Sequence, residues 1–136
     1  MADKKLVALI LLGGVLYFGH AIDHIARGDV RWPLGAESLP FIVVTVIIYA
    51  LIGFGIYFYR RNKIGPRFWT IFAALGAAFG FIGHFSPFTE QPPRYIFNAY
   101  SSTWAGSLAL SCLFALMFVL IATTIYAGYL WARGPR

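Results

Sequence analysis

Four long apolar stretches, separated by short segments that carry nearly all the charge, constrain this chain more than any other feature. They run over about Leu6–Ala26, Leu39–Tyr59, Phe68–Phe85 and Ser101–Trp131. Each can cross a hydrocarbon core of roughly 30 Å at about 1.5 Å rise per residue, and the fourth is long enough to tilt or project. Breakers fall between them: Gly28, Pro33 and Gly35, then Gly65 and Pro66, then Pro87, Pro92 and Pro93. Apolar residues make up 60% of the chain and charged residues 12%, whereas a soluble domain has about 45–50% and about 25%. The expected fold is therefore all-α, a polytopic membrane protein built as a four-transmembrane-helix up-and-down bundle. Residues 1–136 read as one integral membrane domain, with no internal repeat.

The first stretch also has the outline of a signal peptide, with Lys4 and Lys5 before the apolar run and Gly19-His20-Ala21 at its end. The apolar pattern continues to Ile25, so a retained first transmembrane helix is expected.

A formal net charge of +6 invites comparison with nucleic-acid binders. Basic loops beside a lipid bilayer account for it, and nucleic acid is not an expected partner. With the N-terminus inside, the inner side carries Lys4, Lys5, Arg60, Arg61, Lys63, Arg67, Arg133 and Arg136, against Arg27, Arg31 and Arg94 outside. That bias predicts both termini in the cytoplasm, in a plasma membrane of bacterial type. Aromatic belts agree, with Tyr57, Phe58, Tyr59, Trp69 and Trp131 inside and Trp32, Tyr95, Tyr100 and Trp104 outside. The segment Asp29–Ser38 is expected at the outer interface.

Helices associate in lipid by close approach at small residues. Gly76 and Gly80 form one G-x-x-x-G in the third span, and Ser107, Ser111 and Ala115 repeat every four residues in the fourth. Such seams can join helices of one chain or of two. Cys112, the single cysteine, lies inside an apolar run and reads as a packed thiol.

All three histidines fall toward the outer side. His20 and His24 stand four residues apart on one helical face, with Tyr17 on the same face and Asp23 and Arg27 beside them. His84 closes the third span, and Glu37 and Glu90 lie around the same rim. Ionisable groups at this depth are costly unless they face the bundle interior or find partners.

Three readings compete. His20, His24 and His84 can coordinate a transition metal such as Zn, Cu or Fe, with Asp23, Glu37 or Glu90 as fourth ligand or outer acceptor. The H-x-x-D-H order differs from the zincin H-E-x-x-H. Alternatively, His84 opposite His20 or His24 can ligate one haem, giving an electron-transfer role. In the third reading, Asp23, His24, Arg27 and Glu90 form an interfacial hydrogen-bond network, with His20 satisfied by Tyr17 or a carbonyl.

An oligomeric small-solute transporter is a further alternative with less support, because no ionisable group lies near midplane. Hydrolysis by Ser86, Ser101 or Ser102 with His84 lacks any G-x-S-x-G. The near absence of extramembrane sequence, the seams and the stiff loop Ser86–Arg94 make the leading expectation an accessory or scaffold subunit, associated with other membrane subunits or with itself. The metal- or haem-binding protein is the alternative, with His20, His24, His84, Asp23 and Glu90 as its site.

Overall fold

The structure, a computed structural model, describes residues 2–31 and 33–134. Trp32 and Arg136, assigned above to the outer and inner rims, lie outside the described residues. The elements are α1 (Lys4–Ala26), a 3-10 turn (Ala36–Ser38), α2 (Leu39–Arg60), α3 (Pro66–His84), α4 (Pro93–Asn98) and α5 (Thr103–Ala132). Four of these, α1, α2, α3 and α5, are long and apolar enough to cross a membrane. They match the expected spans to within two residues at either end. The chain is an integral, multi-pass membrane protein with an all-α bundle.

Local chemistry sets the helix ends. Asp3 caps α1 by accepting a hydrogen bond from the Leu6 amide at 2.9 Å. Pro66 opens α3 at a position where its missing N–H costs nothing. Between these helices, α2 ends in a Schellman motif. Asn62 has φ +55°, its amide donates to the Tyr59 carbonyl at 3.0 Å, and the Lys63 amide donates to Phe58 at 2.9 Å.

The third connection departs from expectation. Its prolines suggested only a stiffened loop, but Pro93 sits in the first turn of the short helix α4, a position that suits proline's fixed φ.

At the heart of the bundle is α5, packed against α3, α1 and α4. Its buried residues Gly106, Ala109, Leu113, Leu116, Val119, Thr123 and Ala127 recur every three or four positions, which draws one continuous seam along the helix. A Cβ on Gly76 would stand 3.3 Å from the Leu120 side chain, and one on Gly80 would stand 2.5 Å from Met117 Sδ. The G-x-x-x-G is therefore used inside the chain, where α3 meets α5. Ser107 and Ser111 are exposed instead. The hydroxyls of Thr123 and Thr124 donate to the carbonyls of Val119 and Leu120, one turn back in the same helix, which removes them as pathway groups.

The two ends of the bundle differ in character. One is an apolar cluster of Leu6, Ile10, Tyr59, Trp69 and Ala127. The other holds the histidines. Large apolar side chains face outward: Val43, Val46, Ile47 and Phe54 on α2 and Phe118 and Ile125 on α5 are all exposed, as lipid requires. Single cysteines placed at Asn62 and Gln91, in a Cys112→Ala background, should react with an impermeant maleimide from opposite faces of sealed vesicles. Labelling of both from one face would overturn the four-span assignment.

Candidate metal centre

His20 and His24 project from the last two turns of α1, and His84 is the final residue of α3. The rings meet edge to face, with centroids 4.7 Å apart for His20 and His24 and 5.0 Å apart for His20 and His84. His20 Nε2 lies 3.1 Å from His84 Nε2 and 3.2 Å from His24 Nε2. One ligand nitrogen from each ring lies within 4.8 Å of the other two. His20 and His84 are buried and His24 is partly so.

Gly28 makes this arrangement possible. Its φ of +81° ends α1 and turns the chain back, so that the Val30 amide reaches the His24 carbonyl at 3.2 Å. The return brings Asp29 Oδ2 to 3.1 Å from His24 Nδ1. Arg27 then sits between two carboxylates. Its Nε donates to Asp23 Oδ2 at 3.0 Å, and its NH1 pairs with Asp29 Oδ2 at 2.7 Å without hydrogen-bond alignment.

The segment between α3 and α5 straps the site. The Gln91 carbonyl lies 3.0 Å from His84 Nδ1. The Tyr95 hydroxyl donates to Asp29 Oδ1 at 2.8 Å and the Tyr100 hydroxyl to Asp23 Oδ1 at 2.6 Å. Thr89 Oγ1 closes the strap onto the Gly83 carbonyl. Burial, and then the hydrogen bond to Asp23, pushes the Tyr100 phenol up to about 12. The hydrogen bond to Asp29 raises Tyr95.

These partners assign the ring protons. A carbonyl only accepts, so His84 Nδ1 carries a proton for Gln91 and its Nε2 keeps a lone pair. The Asp29 carboxylate imposes the same tautomer on His24, and Arg27 NH2, at 3.2 Å from the same Nδ1, is then a contact and not a donor. His20 Nδ1 has no hydrogen-bond partner, and Asp23 Oδ2 stands 3.8 Å from it. Two lone pairs thus point at His20 Nε2, which can direct one proton at only one of them. A cation among the three nitrogens removes the conflict. Tetrahedral coordination with bonds of about 2.0–2.1 Å would set the nitrogens about 3.3–3.4 Å apart, close to the two separations from His20 of 3.1 Å and 3.2 Å, while the whole group lies within 4.8 Å. The cluster can coordinate a metal ion.

Not every sequence candidate comes to this point. Asp23 lies beside His20 but is engaged by Arg27 and Tyr100. Glu37 and Glu90 are exposed, and neither belongs to the converging group. Tyr17, expected beside His20, lies instead 3.4 Å from Thr45 Oγ1 of α2, because its position one turn earlier faces that helix. The Ser86 hydroxyl donates to the Ile82 carbonyl, so His84 does not activate it. Asp29, Tyr95, Tyr100 and the Gln91 carbonyl complete the site and had no pattern in the sequence to mark them, apart from the outer aromatic belt. The chain matches no protein-family model, no curated protein and no solved structure.

No atom lies within 4 Å of a Cβ built on Gly28, so the cost of Gly28→Ala is conformational, about 1–2 kcal/mol. Thermal unfolding in detergent should show that loss and a smaller one for Gly28→Asn, since asparagine tolerates left-handed backbone. The pH dependence follows from Tyr100. A phenol whose pKa is raised on folding stabilises fully below its unfolded value near 10, and that stabilisation is lost as pH rises toward about 12. Melting temperatures measured from pH 8 to pH 12 should fall more steeply above pH 10 for the native protein than for Tyr100→Phe.

Proposed function

We propose that this protein binds one transition-metal ion through His20, His24 and His84 and that this is its function at the membrane. The observation that carries the reading is the convergence of three Nε2 atoms whose Nδ1 atoms face outward, two of them onto a carbonyl or a carboxylate. Metal-bound histidines are oriented in that manner, since the outer acceptor fixes the tautomer and raises the basicity of the ligating nitrogen. Asp23, 3.8 Å behind His20 Nδ1, contributes charge rather than a hydrogen bond, and Glu90 is not needed as a ligand. Imidazole donors suit Zn, Cu or Fe.

A single ion is favoured over haem. A macrocycle would need to lie between ring nitrogens that stand 3.1 Å and 3.2 Å apart, and His20 is already enclosed by both neighbours. With the basic end inside, both termini are cytoplasmic in a plasma membrane of bacterial type and the site opens toward the outer face. The whole chain acts as one integral membrane domain. As for the scaffold reading, Gly76 and Gly80 pack within the chain, which leaves the exposed Ser107 and Ser111 of α5 as its remaining seam toward another subunit or a second copy.

Elemental analysis of protein purified from metal-replete cells without chelator should find about one ion per chain. His20→Ala and His84→Ala should each lose it while Glu90→Ala retains it, and cobalt substitution should give the visible bands of a four-coordinate ion. Metal retained in both histidine variants would refute the assignment, as would a Soret band with stoichiometric iron.

A further inference from the structure

Two apolar grooves flank Tyr126 on α5 at the end of the bundle opposite the histidines. The first, of about 400 Å³, lies between α1 and α5 and is lined by Lys5, Ala8, Leu9, Leu12 and Tyr126. The second, of about 450 Å³, runs along α5 between Phe118 and Tyr129. From Lys5 to Leu12 the first covers about 10 Å of helix, and the second covers about 16 Å. The second matches the roughly 15 Å depth of one leaflet and the first spans about two-thirds of it.

Both grooves meet a cation at the end where the helices leave the bilayer. Lys5 is exposed and lines the first. Arg133 stacks over the Tyr129 ring at 4.2 Å from its centroid, at the head of the second. The nearby acid, Asp3, is occupied. It caps α1, and Tyr126 Oη lies 3.3 Å from both of its oxygens. That contact fixes Tyr126 as the ridge between the grooves.

From this arrangement we infer that the two grooves form a binding site for one anionic diacyl phospholipid. One chain lies on each side of Tyr126, and the phosphate lies at Lys5 and Arg133. The occupant must have two chains because there are two grooves with one shared wall. It must be anionic because a zwitterionic headgroup brings its own ammonium to the same two cations. The site is independent of the metal centre, and its test does not involve metal.

The experiment is native mass spectrometry of the full-length protein released from detergent, with phosphatidylglycerol or phosphatidylcholine supplied at equal concentration. Retention of a single phosphatidylglycerol, at least fivefold over phosphatidylcholine, is expected, with a matching rise in melting temperature. Lys5→Glu combined with Arg133→Glu should abolish the preference. A glutamate at position 5 lies in the first turn of α1, where it complements the helix dipole, so the variant keeps its fold. Ala8→Trp should reduce retention of both lipids by filling the first groove. Lys63→Glu, in the basic loop outside both grooves, should change nothing. Equal retention of the two lipids overturns the proposal. So does a loss in Lys63→Glu equal to that in the double variant, because it would mean that general charge and not the grooves selects the lipid.

Discussion

Arg27 is the cation on which the polar end of this bundle depends. Its side chain has no exposed surface and pairs with Asp23 and Asp29 at 3.0 Å and 2.7 Å. Removing a guanidinium from water costs several kcal/mol, which only close carboxylates and further hydrogen bonds recover. Each carboxylate then needs partners for its second oxygen, and receives Tyr100 and Tyr95. One buried charge thereby ties the last turn of α1 to its following turn, to α4 and to the approach to α5. Asp29 Oδ2 meets both this cation and His24 Nδ1, so the same carboxylate joins the buried charge to the histidines.

The opposite end is organised by other means. Leu6, Trp69 and Ala127 are fully enclosed there, and Tyr59 and Trp69 meet edge to face with centroids 6.5 Å apart. Apolar packing of this kind gains little drive from exchanging lipid for protein, because both are hydrocarbon. It is also permissive about register. A slip of α3 by one turn would move His84 by about 5.4 Å and break its contacts to both His20 and Gln91, whereas Leu and Phe side chains can find new hollows. The polar end supplies the specificity that the apolar end lacks.

This division explains what the sequence made legible. Hydropathy and breakers located four spans closely, since a bilayer imposes a length and an internal hydrogen-bonding rule on every crossing segment. The i,i+4 pair His20 and His24 was visible because helical periodicity puts both on one face. His84 could be placed at the same rim by up-and-down topology alone. Asp29 carries no mark in the sequence because its role depends on the left-handed turn at Gly28, a tertiary consequence of one backbone angle. Glu90 was overvalued for the opposite reason. Proximity along the strap says nothing about direction, and the strap turns a backbone carbonyl, that of Gln91, toward His84 while Glu90 faces outward. The tyrosines fit an outer aromatic belt in the sequence, but the same rings carry the hydroxyls that satisfy two buried carboxylates.

The proposed ion has a charge balance that follows from the same geometry. Arg27 has claimed Asp23 and Asp29, so the three ligands that converge are neutral imidazoles, while the surrounding ring of Arg27, Asp23 and Asp29 carries one net negative charge. A divalent ion bound there would be partly but not fully compensated. Three nitrogens also leave a tetrahedral ion one position short, and no fourth side chain converges with them among the described residues. With the proposed ion in place, the outstanding charge and the open position would both suit a small anionic or polarised ligand. If Asp23 had been free to ligate, the proposed centre would have been closed. By pairing with both carboxylates, Arg27 would leave the fourth position of the proposed ion open.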